Sequence, residues 1–321
     1  MLDTSESGAP VPLPADARLV VPVMAATGGS GRSTLACLLA AELAEAGGTV
    51  VLDLAVRSLS PWPAWAPSGG GGLAALPPHL PHSRAQIRTA AARRGPVDVL
   101  TDGRAWHAPP LCLPVDPAAW YQLGAAGGWQ LVVADTAYPV THDLLTARCA
   151  AGRGLTGVWC ELPFAVPVLC AAATAEGVRA LQQAVAAMAA AGLPLRRTVA
   201  VLVAVDRGRD PAAVRSAADA LADRLYDVQA LPHDPHIRAR GLAEVIRPRS
   251  RTRRAAARIA EAVLEAARAT WGEELPAAPL PAPVAAGYRG APRSGGRWCS
   301  GQASGRDSGE DPAVASGRDR G

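Results

Sequence analysis

The residues best suited to chemistry lie in one short stretch, Ala26-Thr27-Gly28-Gly29-Ser30-Gly31-Arg32-Ser33-Thr34. Its glycines let the backbone curl into a nest of N–H groups, and a helix starting behind them adds its partial positive charge. Such a loop holds a phosphate without needing any side chain. Ser33 stands where a loop hydroxyl can ligate Mg²⁺. A tight glycine turn with a Ser/Thr cap is the plainer alternative. A second candidate lies in 238–258, where Arg238, Arg240, Arg247, Arg249, Arg251, Arg253, Arg254 and Arg258 face a single acid, Glu244. That density fits phosphate contacts along DNA or an anionic membrane surface, most of all through 247–258. The bland reading is a solvated helix face. His107, His142, His233 and His236 are scattered, and His233-Asp234-Pro235-His236 reads as a turn because a third metal ligand is not evident.

For the loop to bind an anion it must join a strand to a helix, and the flanking pattern supplies both. LVVPVMA (19–25) reads as a buried strand, with Pro22 awkward inside it. STLACLLAAELAEAG (33–47) has apolar residues at helical spacing and stops at Gly47-Gly48. TVVLDL (49–54) is a second buried strand, completing a βαβ unit. The alternation continues with a short Arg-rich helix at 83–94, a strand at 96–102 and a helix at 116–127. WQLVVADT (129–136) is a strand ending in an acid. Helices at 142–152, 174–191 and 210–224 alternate with strands at 166–172, 198–205 and 227–231. A last helix, 251–271, puts Ile259, Val263, Leu264 and Ala267 on one face. Strands alternating with helices predict an α/β fold whose mostly parallel sheet is covered by helices on both faces.

Between these elements, 56–83 is rich in Pro, Trp and Gly and reads as a surface insertion. Residues 1–17 read as a flexible N-terminus, 18–272 as the folded domain and 273–321 as a disordered tail. Composition bounds the rest. The chain is 49% hydrophobic and 19% charged, enough apolar matter for a large core, and its net charge of +4 excludes a polycation built to coat nucleic acid. It has no lysine and no asparagine, so no lysine-dependent mechanism can run on this chain alone. No secretory leader and no apolar run of membrane-spanning length is evident. The six cysteines show no CxxC spacing. A reduced, cytoplasmic protein is expected.

GGSGRST resembles the GGxGKTT core of the ParA/MinD group, the deviant Walker A ATPases of partitioning and cell positioning. VVLDL ending at Asp53, WQLVVADT ending at Asp135 and the turn LPHDPHIRARG (231–241) are similar to that family's second strand, Walker B strand and late "LP-x-D" turn. The resemblance covers roughly 18–270. It implies a P-loop NTPase fold, ATP and Mg²⁺ as cofactors, and a nucleotide-dependent homodimer that engages a protein partner. Carried over position by position, Thr27, Gly28, Gly29, Ser30, Gly31, Arg32, Ser33 and Thr34 bind the phosphates, and Pro232 and Asp234 lie near the adenine. Ser33 and Asp135 serve the metal. Asp53 lies near the attacking water and, with Arg32, is a catalytic candidate. The function implied is that of an ATP-binding switch, with at most weak ATPase activity, in partitioning, positioning or assembly of a larger complex.

Several positions depart from the pattern. The loop lysine is Arg32, the family's second lysine is Thr27, and the second acid of its D-x-D pattern is Ala55. These departures keep open an alternative, a non-catalytic scaffold with a degenerate loop. TGGSG also resembles the opening of short-chain dehydrogenases, with Asp53 about 20 residues on as a ribose acid. Against a dehydrogenase, the last glycine of that pattern is Thr34 and the Tyr-x-x-x-Lys catalytic pair cannot occur. A non-catalytic NAD-binding relative is the weaker alternative.

Overall fold

The computed structural model describes residues 12–67, 71–111, 113–209, 211–244 and 248–280. The expectations for 1–11 and 281–321, and the positions of Arg247, Cys112 and Cys299, lie outside the described residues. Among the described residues eight strands form one sheet: β1 (Leu19–Ala25), β2 (Thr49–Asp53), β3 (Ala92–Arg94), β4 (Val97–Leu100), β5 (Leu131–Pro139), β6 (Val168–Ala172), β7 (Val199–Val203) and β8 (Asp227–Leu231), in the order β3-β4-β2-β5-β1-β6-β7-β8. All pairings are parallel except β3 with β4. The helices are α1 (Arg32–Leu43), α2 (Trp62–Trp65), α3 (Arg84–Ala90), α4 (Pro117–Gly127), α5 (Val140–Cys149), α6 (Gly154–Glu161), α7 (Ala175–Ala190), α8 (Ala212–Ala222), α9 (Pro235–Arg240) and α10 (Ser250–Trp271).

The parallel strands read as unbroken apolar runs because both faces are covered. Successive side chains of β1 go to opposite faces. Leu19, Val21, Val23 and Ala25 join one apolar cluster with α1, α2 and α10. Val20 joins a cluster with α3 and α4, and Met24 one with α7 and α8. Ile259, Val263, Leu264 and Ala267 of α10 are buried in the first cluster. Pro22 is accommodated because the β1–β6 pairing is interrupted there: a bridge at Val20–Ala165 is followed by regular pairing only from Val23. A residue with no N–H fits that gap.

Three expectations need correction, and one element was not foreseen. Residues 83–94 are not one helix. A capping box at Ser83 and Gln86 starts α3, which ends at Ala90, and Gly95 at φ +58° turns the chain so that β3 folds back antiparallel on β4. The segment 153–165, left without structure by its pattern, holds α6. The insertion 56–83 is not confined to the surface: Trp62 is 0% exposed, and Trp65, Ala66, Leu73 and Leu76 are also buried. Finally, packing extends beyond 18–272. The N–H of Leu13 donates to Ala46 O, that of Ala278 to Asp16 O, and Leu275 is buried in the α1–α10 cluster. Among the described residues no helix is long and apolar enough to cross a membrane.

Candidate functional site

The loop 26–31 leaves the C-terminal end of β1, in the middle of the sheet, and runs into α1. In an open α/β sheet this edge is where ligands bind. Gly31 sits at φ +82° as the N-cap of α1, a left-handed conformation in which a side chain is strained. A Cβ there would also stand 3.1 Å from Val203 Cγ1. No side chain caps the helix, so the first N–H groups of α1 have no intrahelical partner and face outward. Gly28 and Gly29 are exposed and have open space around them. Ser30 is buried; its hydroxyl donates to Thr27 O at 2.8 Å and lies 3.6 Å from Cys170 Sγ. Burial pushes the Cys170 thiol up to about 11, so it stays neutral beside the loop. The arrangement is an uncapped helix end behind a glycine loop, which can hold a phosphate. Ser33 and Thr34 occupy the first turn of α1, half-buried.

Arg32 does not point its charge freely at the loop. Its Nε donates to Asp135 Oδ1 at 2.6 Å, an ion pair in which Asp135 is 1% exposed and Arg32 18%. The other oxygen of Asp135 accepts from the indole Nε1 of Trp62 at 2.7 Å. Trp62 itself is wedged edge-on against Trp65, with ring centroids 5.0 Å apart. Both carboxylate oxygens of the Walker-B-like acid are therefore engaged by protein donors.

Asp53 lies opposite Asp135 in the β2–β5 register. Its Oδ2 accepts from Thr101 Oγ1 at 2.5 Å and Ser60 Oγ at 2.7 Å, and its Oδ1 from the Ala55 N–H at 3.2 Å. No cation faces it. Burial pushes its carboxyl up to about 6, the three hydrogen bonds pull the other way, and the nearby Asp135 charge adds to the rise. As placed, Asp53 is an anchor for the chain after β2. It has no donor-free oxygen directed at a water.

A cavity of about 260 Å³ opens beside the loop, lined by Gly29, Gly31, Thr34, Val203, Pro232 and His233 among others. Pro232 lines this cavity together with the loop glycines. Asp234 borders the same cavity but is consumed structurally. Its Oδ1 caps α9 through the N–H groups of His236 (2.9 Å) and Ile237 (3.5 Å), and its Oδ2 accepts from the Arg249 N–H (3.0 Å) and Thr252 Oγ1 (2.9 Å). Burial alone would raise its carboxyl; these four bonds hold it below the usual carboxylate value. His233 Nδ1 is buried without a partner, and among the described residues no three His, Cys, Asp or Glu side chains could hold a metal ion.

The site brings together Thr27–Thr34, Asp53 and Asp135 at one sheet edge, with Pro232 and Asp234 across the cavity. Sequence reading gave Ser60, Trp62 and Thr101 no role at this site. The one signal for Trp62 was its place in P-W-P-A-W, nine residues past Asp53: a tryptophan that becomes buried needs an acceptor for its N–H.

The fold has a counterpart among solved structures. A ParA family ATPase from Chlorobium tepidum matches 77% of this chain and 98% of its own, at 14% identity and a TM-score of 0.54. The chain has the fold of the ParA-type ATPases. The cell division ATPase MinD of Pyrococcus furiosus matches 77% of the chain and 98% of its own at 15% identity, with a TM-score of 0.47. A putative plasmid partition protein from Borrelia burgdorferi, solved with AMPPNP, matches 77% and 99% at 12% identity and a TM-score of 0.45. No protein-family model and no curated protein matches the chain.

Asp53 yields a prediction on pH. A carboxyl raised from 3.8 to about 6 on folding binds its proton more tightly in the folded state. Stability is then greatest below the lower value and declines as pH rises through the upper one, by on the order of 3 kcal/mol. Asp53→Asn removes the titrating group. Urea denaturation at pH 4 and pH 7 should show the variant gaining on the wild type toward pH 7; parallel behaviour of the two proteins would contradict the assignment.

Proposed function

We propose that this chain is a nucleotide-binding scaffold of the ParA/MinD type that holds nucleotide without turning it over and serves positioning or assembly of a larger complex. One observation carries the reading: the carboxylate of Asp135 is bonded to Arg32 on one oxygen and Trp62 on the other. Phosphoryl transfer depends on charge placed at the transferring group and on an acid that holds the metal's waters. Here the loop cation is tied through its Nε to that acid, and the acid's other oxygen is held by Trp62. The uncapped α1 terminus and the glycine loop still suit a phosphate, and the adjoining cavity has room for part of a nucleoside. The homodimer that the resemblance implies would form without a bridging lysine, since Thr27 stands at that position.

Calorimetric titration with ATP, run beside a phosphate-release assay, tests this. Binding with no release above the protein-free rate is expected. Arg32→Lys should gain no turnover, because Trp62 still holds Asp135. Sustained release by the wild type would overturn the reading.

For a partner we propose a polyanionic surface met by α10. Arg249, Arg251, Arg253, Arg254 and Arg258 are exposed, while Ala255, Ala256, Ile259 and Val263 on the other side of the helix are buried. The side chains are thus split into a packed face and an arginine face. Each arginine lost from a phosphate contact should flatten the plot of log affinity against log salt by up to ~0.9 on duplex DNA. Replacing Arg249, Arg251, Arg253 and Arg254 together should abolish salt-sensitive binding in a gel-shift series, or in vesicle sedimentation if membrane is the partner. Unchanged binding by the quadruple variant would refute the surface.

A further inference from the structure

The fold implies Mg²⁺ beside the phosphates, but the residues present do not fit it. Magnesium demands oxygen ligands in near-octahedral geometry and is usually held through one or two carboxylates together with the substrate's phosphates. At this sheet edge every oxygen of both carboxylates is already engaged by a protein donor. Asp135 has an arginine N–H on Oδ1 and an indole N–H on Oδ2, and it is buried. Asp53 accepts from two hydroxyls and a backbone N–H. Asp234, the other acid bordering the cavity, accepts four hydrogen bonds. The Ser33 hydroxyl would stand alone. A divalent ion would also have to share this space with the guanidinium of Arg32, a like charge, whose release would leave Asp135 buried with only the neutral Trp62 as partner.

The geometry points to a different arrangement: the site binds the phosphates of a nucleoside diphosphate or triphosphate without a divalent cation, with Arg32 as the fixed positive charge. This rests on the reading that the loop binds nucleotide. Arg32 spends Nε on Asp135, and a guanidinium has four further N–H donors for a ligand. Its planar fork matches two phosphate oxygens at once, which an ammonium does not. Asp135 in turn fixes the plane of that fork, and Trp62 fixes Asp135. The three residues form a chain of hydrogen bonds from the residue 57–66 segment to the loop.

ADP is the probe, titrated calorimetrically in EDTA and again with excess Mg²⁺. The dissociation constants should agree within about twofold. A gain of about tenfold or more with Mg²⁺ would overturn this inference while leaving nucleotide binding by the loop intact. No binding in either condition would overturn both. Arg32→Gln should lose about tenfold or more of the affinity in EDTA. Because that variant strands a buried carboxylate, Arg32→Gln/Asp135→Asn is measured as well; it removes both charges and should show the same loss. Wild-type affinity in the double variant would show that Arg32 does not provide the cation.

Discussion

A carboxylate at the centre of a parallel sheet, sealed from water, has to be neutralised by the protein itself. Asp135 is that carboxylate, and the site is organised by how its charge is met. Leaving such a group ionised and unpaired is costly enough that a charge partner and full hydrogen bonding are effectively required. The partner is Arg32, the first residue of α1, so the helix that ends the glycine loop is tied directly to the strand beside it. The other carboxylate oxygen accepts from Trp62, which ties the chain after β2 to the same point. Asp53, next to Asp135 in the sheet register, receives no cation and is satisfied by neutral donors alone, which is why burial raises it. Two acids that sequence pattern treats alike therefore have different electrostatic fates.

The Arg-for-Lys exchange acquires a structural meaning in this setting. An ammonium is a compact point charge, whereas a guanidinium can hold a carboxylate with one N–H and keep others in reserve. The exchange makes possible an internal ion pair at the loop's mouth. With Trp62 as the second partner, the pair does not depend on a metal. The same logic extends to Asp234, whose four hydrogen bonds close the turn after β8 onto the start of α10. At each of these three acids the structure spends its lone pairs on architecture.

How much of this was legible follows from what leaves a periodic trace. β1, α1, β2, β5, β6, α7, β7 and α10 are long or apolar enough to impose their spacing on the sequence, and the loop's glycines announce a backbone that must take positive φ at Gly31. Asp53 ends β2, whereas β5 runs on past Asp135 to Pro139, beyond the strand end the pattern predicts; the register nonetheless sets the two acids side by side. What those acids bond to was not legible. Trp62 lies in a stretch whose Pro and Gly content marks irregular backbone but says nothing about which side chains turn inward. Ser60 and Thr101 are 41 residues apart in sequence and meet only on Asp53. β3 is three residues long and α6 eight, too short for periodicity to separate them from loop.

The account stands on the pairing of Arg32 with Asp135, and a double-mutant cycle measures it most directly. Arg32→Met, Asp135→Asn and the double variant would be unfolded in urea alongside the wild type. A coupling of about 2 kcal/mol or more is predicted, because either single change leaves an uncompensated buried charge and the double change leaves none. Additivity within about 0.5 kcal/mol would contradict the account.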